Sequence, residues 1–112
     1  MAPVEKRISL SEIRRRLDPC CSYVILEFEA GGKTAETLLR ERGGLPLAEA
    51  DIADNWLYQE ADSGRMLLVV RLVPEREEEV RDRILASRIP RNATLHYYRR
   101  DAGGQRHTTE RL

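Results

Sequence analysis

The chain has 112 residues, 41% hydrophobic and 34% charged, with Lys+Arg and Asp+Glu both at 19. That length suits one domain with a single core, and the composition is globular rather than disordered. Zero net charge gives no overall pull toward nucleic acid or anionic lipid, and no apolar run approaches the roughly 20 residues of a membrane span.

The first residues, Met1 to Arg7, lack the apolar stretch of a signal peptide, so the expected location is cytoplasmic, with no direct membrane insertion. Ile8, Leu10, Ile13 and Leu17 then recur at roughly helical spacing. Ser9 or Ser11 can cap such a helix, and Asp18-Pro19 ends it, because proline restricts the residue before it. Arg14, Arg15 and Arg16 fall in its last turn, where cations suit the helix dipole. Cys20 and Cys21 are adjacent and cannot close a loop, so they read as free thiols.

Residues 22–30 alternate with period two, which predicts a strand with Val24, Leu26 and Phe28 on one face and Tyr23, Ile25 and Glu27 on the other. Gly31-Gly32 breaks it. Residues 33–42 predict a helix with Ala35, Leu38 and Leu39 inward and Gly43 as its stop. Leu45-Pro46-Leu47 reads as a loop packed on the core, and the stretch after it as either a helical turn or an early strand. Residues 55–61 predict the second strand, and Asp62-Ser63-Gly64 a tight hairpin turn. The third strand, 66–73, is apolar on both faces, which marks a central position.

Pro74 suits the first position of the next helix, where its missing N–H costs nothing. Glu75, Glu77 and Glu78 follow at the positive end of that helix. Glu77 with Arg81 and Glu79 with Arg83 form i,i+4 pairs, while Val80, Ile84 and Leu85 are expected to face inward. Pro90 stops the helix, and 93–100 predicts the last strand.

Three segments result: residues 1–21 with a short amphipathic helix, a βαββαβ domain over 22–100, and a flexible polar tail over 101–112. Right-handed crossovers then give an α+β, ferredoxin-like sandwich, with a four-stranded antiparallel sheet and two helices on one face. The opposite face carries Tyr23, Ile25, Leu67, Val69 and Tyr98, which is too apolar to meet water. Either the N-terminal helix folds back over it, or a second copy or partner docks there; the second is the leading expectation.

Candidate chemistry is sparse. Gly32-Lys33-Thr34 sits between a strand and a helix, but a phosphate-binding loop needs glycine where Glu27 stands. The surviving idea is that Gly31, Gly32 and Lys33 receive a small anionic ligand at the helix start. Cys20, Cys21, His96 and His107 are the only soft metal ligands and lack metal-site spacing, so no metal or other cofactor is expected. The βαββαβ order is shared with RNA-recognition domains, but the third strand has no aromatic side chain to stack a base, which argues against nucleic acid. Asn92-Ala93-Thr94 fits a glycosylation pattern that is irrelevant in the cytoplasm.

The strand-Gly-Gly-helix start, the Leu45-Pro46-Leu47 loop, the apolar third strand and the acidic second helix together resemble an ACT-like regulatory domain over residues 23–100. The resemblance implies sensing of a small ligand, often an amino acid or metal ion, through paired sheets. A weaker likeness is to the cytoplasmic C-terminal domain of MgtC-type membrane proteins, where a basic stretch comparable to Pro3-Val4-Glu5-Lys6-Arg7 precedes a similar sandwich; that reading needs the chain to be a fragment. The leading expectation is therefore a non-enzymatic regulatory or ligand-sensing module, a homodimer through the face of Tyr23, Ile25, Leu67, Val69 and Tyr98. One alternative is a protein–protein interaction domain of a larger or membrane-associated protein. Another is a small dimeric enzyme using His96.

Overall fold

The computed structural model describes residues 7–87, 92–100 and 108–111, the last four through their backbone. The elements run β1 (Arg7–Ile8), α1 (Leu10–Arg16), β2 (Tyr23–Phe28), α2 (Ala35–Glu41), β3 (Ile52–Glu60), β4 (Met66–Leu72), α3 (Glu77–Ala86), β5 (Thr94–Arg99) and β6 (Thr108–Arg111). Short 3-10 turns lie at Arg42–Gly44, Glu49–Asp51 and Pro74–Arg76. The strands form one sheet in the order β1-β3-β4-β2-β5-β6.

This corrects the expected four-stranded antiparallel, ferredoxin-like sandwich. The sheet has six strands and is mixed: β1 runs parallel to β3, with Arg7 opposite Gln59 and Ile8 opposite Glu60. At the other edge β6, inside the segment read as a tail, pairs antiparallel with β5. Neither edge strand has a usable signal, because two residues cannot show alternation and Thr-Thr-Glu-Arg has no apolar face. Among the described residues there are three α-helices, and α1 lies across the face that α2 and α3 leave bare.

Local chemistry explains most boundaries. Ser9 caps α1 by accepting from the Glu12 N–H at 3.1 Å, and Thr34 caps α2 by accepting from the Thr37 N–H at 3.2 Å. The α2 stop falls on Arg42, which adopts a left-handed conformation with φ 53°, and Gly43 continues it at φ 61°. Gly43 also permits a close approach, since a Cβ there would lie 2.4 Å from Leu26 Cδ2. In α3, Val80 and Ile84 are buried, but Leu85 is 51% exposed because it lies about 100° further round the helix.

Two apolar layers result. Val24, Leu26 and Phe28 of β2, Leu68, Val70 and Leu72 of β4, and Leu95 and Tyr97 of β5 form the main layer with Leu38, Val80 and Ile84 of the helices. Leu45 and Leu47 close one side of it, as the loop reading requires. The second layer, on the other face of the sheet, gathers Ile8, Ile13, Tyr23, Ile25, Leu67, Val69 and Tyr98, with Leu10, Leu17, Trp56 and Tyr58 at its margin.

Two buried carboxylates pin loops to this frame. Asp51, 1% exposed, accepts from the Ala48 N–H at 2.8 Å and from Arg83 Nη1 at 2.7 Å, and its backbone carbonyl accepts from the Val73 N–H. Glu60 accepts from the N–H groups of Leu10 at 3.1 Å, Asp62 at 2.9 Å and Ser63 at 2.9 Å, tying the start of α1 to the β3–β4 turn. Burial pushes both carboxyls up, but these donors outweigh it and leave both below the ordinary carboxylate value.

Candidate functional site

The alternation along β2 and β5 sends Glu27 and His96 to the α1 side of the sheet, at the end that α1 does not roof, and Arg65, just before β4, lies beside them. Register makes them neighbours: Ile25 pairs with His96, and Glu27 pairs with both Thr94 and Leu67. His96 Nε2 lies 3.9 Å from Glu27 Oε1. Arg65 Nη1 lies 3.5 Å from Glu27 Oε2, and Arg65 Nε lies 3.3 Å from Glu29 Oε1. Arg65 also donates to the carbonyls of Glu27 and Asn92, so it clamps the start of β4 to β2 and to the segment before β5.

The cluster continues toward α1. The rings of His96 and Tyr98 have centroids 6.3 Å apart, and the Arg14 guanidinium lies 5.7 Å from the Tyr98 ring centre. Burial raises the pKa of Tyr98, while Arg14 acts in the opposite direction as a nearby charge and hydrogen-bond partner. Side chains of His96, Glu27 and Arg65 are 18%, 19% and 22% exposed, so all three are reachable yet largely held by protein. Both signs of charge are present: Glu27 and Glu29 paired with Arg65 at one end, and Arg14 over Tyr98 at the other. Such an edge suits a ligand that itself carries both signs.

The residues singled out by sequence fare differently. Gly31 and Gly32 form a turn at the C-terminal end of β2, closed by the Lys33 N–H donating to the Ala30 carbonyl at 3.2 Å. Their φ angles of 63° and 79° give that glycine pair its reason, since both central positions of such a turn favour residues without a Cβ. Lys33 Nζ reaches both Glu41 carboxylate oxygens, at 3.1 and 2.8 Å, and Thr34 uses its own hydroxyl to cap the seven-residue α2. The turn therefore presents no prepared anion cradle.

The expected interface residues Tyr23, Ile25, Leu67, Val69 and Tyr98 are core residues, none more than 4% exposed. The correction has a simple cause: α1 seats Ile13 on them, and the preceding β1 seats Ile8, inside one chain. Cys20 and Cys21 form no disulfide, and Cys21 Sγ lies 3.8 Å from Asp18 Oδ2. Among the described residues, no group of three or more His, Cys, Asp or Glu is arranged to hold a metal. His107 and Pro90 lie outside the described residues.

A separate shallow groove of about 410 Å³ lies between Arg42, Glu49 and the first residues of β3, Ile52 to Asn55. Its lining is mostly polar and brings no imidazole or thiol together. Among the described residues, no helix is long and apolar enough to cross a membrane. No protein-family model matches the sequence, and no curated protein or solved structure matches it either.

Proposed function

We propose that the chain is a non-catalytic sensing module whose ligand binds at the unroofed end of the second sheet face, between His96, Glu27 and the Arg14 of α1. The observation that carries this reading is the convergence of β2, β4, β5 and α1 on one half-buried polar cluster, at the margin of a face that is otherwise apolar. The ligand class follows from the charges. A carboxylate end is drawn toward Arg14 and a cationic end toward Glu27 and Glu29, so a small zwitterion such as an amino acid has the right complement.

Thermal denaturation against a panel of free amino acids tests this. A ligand at 100 times its Kd adds about 2.7 kcal/mol to stability, which for a domain of this size raises Tm by about 10 °C. His96→Ala and Glu27→Gln each diminish that rise without lowering the unliganded Tm by a similar amount. A panel in which no member raises Tm, or a rise that survives both substitutions, removes the proposed site.

A further inference from the structure

We propose that Cys20 and Cys21, at the joint between α1 and β2, are a modification site: a dithiol that hydrogen peroxide closes into a disulfide between neighbouring residues. This inference stands apart from the ligand reading. The joint is a tight turn built around Asp18. The Asp18 carbonyl accepts from the Cys21 N–H at 3.1 Å, and Asp18 Oδ1 accepts from the Cys20 N–H at 2.9 Å. The Asp18 N–H in turn donates to the Tyr23 hydroxyl at 3.1 Å, which fixes the turn to β2. The two sulfurs meet different surroundings. Cys20 is exposed, whereas Cys21 is half-buried and packs at the margin of the layer beneath α1. An accessible thiol beside a second one that resolves it is the arrangement redox-responsive cysteines use.

The chemistry balances with the peroxide as oxidant. The Cys20 thiolate attacks a peroxide oxygen, the O–O bond breaks, and Cys20 becomes a sulfenic acid. The hydroxide released takes up the proton that Cys20 shed and leaves as water. The Cys21 sulfur then attacks the Cys20 sulfur, the S–O bond breaks, and the sulfenic hydroxyl leaves with the Cys21 proton as a second water. Neighbouring Cα atoms are about 3.8 Å apart, below the roughly 4.4–6.8 Å of relaxed disulfides, so the bridge is strained and readily reduced. It therefore belongs with labile disulfides and not with structural ones. Asp18 restrains the second step. Its Oδ2 lies 3.8 Å from Cys21 Sγ, and burial together with the Asp18 charge pushes the Cys21 thiol up, against the opposing effect of Arg71.

Thiol titration and intact mass of the folded full chain, before and after hydrogen peroxide, are the test. Cys20 and Cys21 are the chain's only cysteines, so the readout is unambiguous. The expected product is lighter by two hydrogens, has no titratable thiol, contains no intermolecular link and is restored by dithiothreitol. Cys21→Ser stops at the Cys20 sulfenic acid, which dimedone traps. Asp18→Asn keeps an oxygen for the Cys20 N–H and shortens the life of the sulfenic acid severalfold, because Cys21 then ionises more readily. Thiols that survive peroxide, a product that gains oxygen as sulfinate, or a disulfide-linked dimer overturns the proposal. A sulfenic acid as long-lived in Asp18→Asn as in the native chain overturns the restraint assigned to Asp18. If Asp18→Asn fails to fold, the products of the native chain and of Cys21→Ser decide.

Discussion

Asp51→Ala tests the account of the loop between α2 and β3. The carboxylate is buried and joins three segments: it accepts from Ala48 N–H at 2.8 Å and Arg83 at 2.7 Å, with Arg76 Nε 3.9 Å away. Both bonds fall on the same oxygen, Oδ2, which alanine removes from both donors at once. One charge-assisted bond, about 1.5–3 kcal/mol, is lost, and the neutral bond from Ala48 adds about 0.5–1.5 kcal/mol, since Ala48 is exposed and its N–H can turn to water. Arg83 is 34% exposed and can regain water, so its released charge adds little. The expected loss is about 2–4 kcal/mol, read as a lower urea midpoint at unchanged m-value. A double-mutant cycle with Arg83→Met should give a coupling of about 1–2 kcal/mol. A loss below about 1 kcal/mol, or no coupling, would refute the view that this pair fixes the start of β3.

Three further outcomes follow from the same structure. Gly43→Ala should cost about 2–4 kcal/mol in chemical denaturation, because its φ of 61° disfavours a Cβ and that Cβ would meet Leu26 at 2.4 Å. Leu85→Lys should leave the urea midpoint within about 0.5 kcal/mol of the native chain, since Leu85 is half exposed on α3. Acid titration followed by circular dichroism should show stability falling in the acid range. Asp51 and Glu60 both have folded pKa values below their ordinary 3.8 and 4.5, so their contribution is complete above those values. It is lost as the pH drops through the lower folded values. Glu60→Gln should flatten that fall, and an unchanged acid limb would contradict the assignment.

Much of this was legible in the residues. The alternation of Tyr23 to Phe28 and the two apolar faces of Met66 to Leu72 identified the central strands, and Pro74 with its following glutamates marked the last helix. The surplus of apolar groups on the second face was also plain; what covers it was not. That answer depends on where α1 docks, and the six-residue link between α1 and β2 does not encode a direction. The early start of β3 was missed because Ile52-Ala53-Asp54 has no alternation and contains a shift in register. Its position is set by long-range contacts, with Asp51 bonded to Arg83 on α3.

The candidate site divides in the same way. Glu27 was placed on the correct face by period two, and His96, two residues before Tyr98, shares the face assigned to Tyr98. Their adjacency required the β2–β5 register, which single-strand patterns do not contain. The Gly31-Gly32 signal was read as an approach to a ligand, whereas the positive φ values serve the turn itself. The same composition satisfies both demands, and only the capture of Lys33 by Glu41 separates them.

The placement of α1 also bears on synthesis. Its helix emerges from the ribosome ahead of β2, β4 and β5, so Tyr98, part of the surface Ile13 rests on, is made well after it. Until β5 is made this amphipathic segment has no complete docking place, so a growing chain exposes greasy side chains to neighbouring nascent chains. Crowded polysomes are thus where mispairing between copies is most to be expected, and slowing elongation before β5 would prolong that exposure.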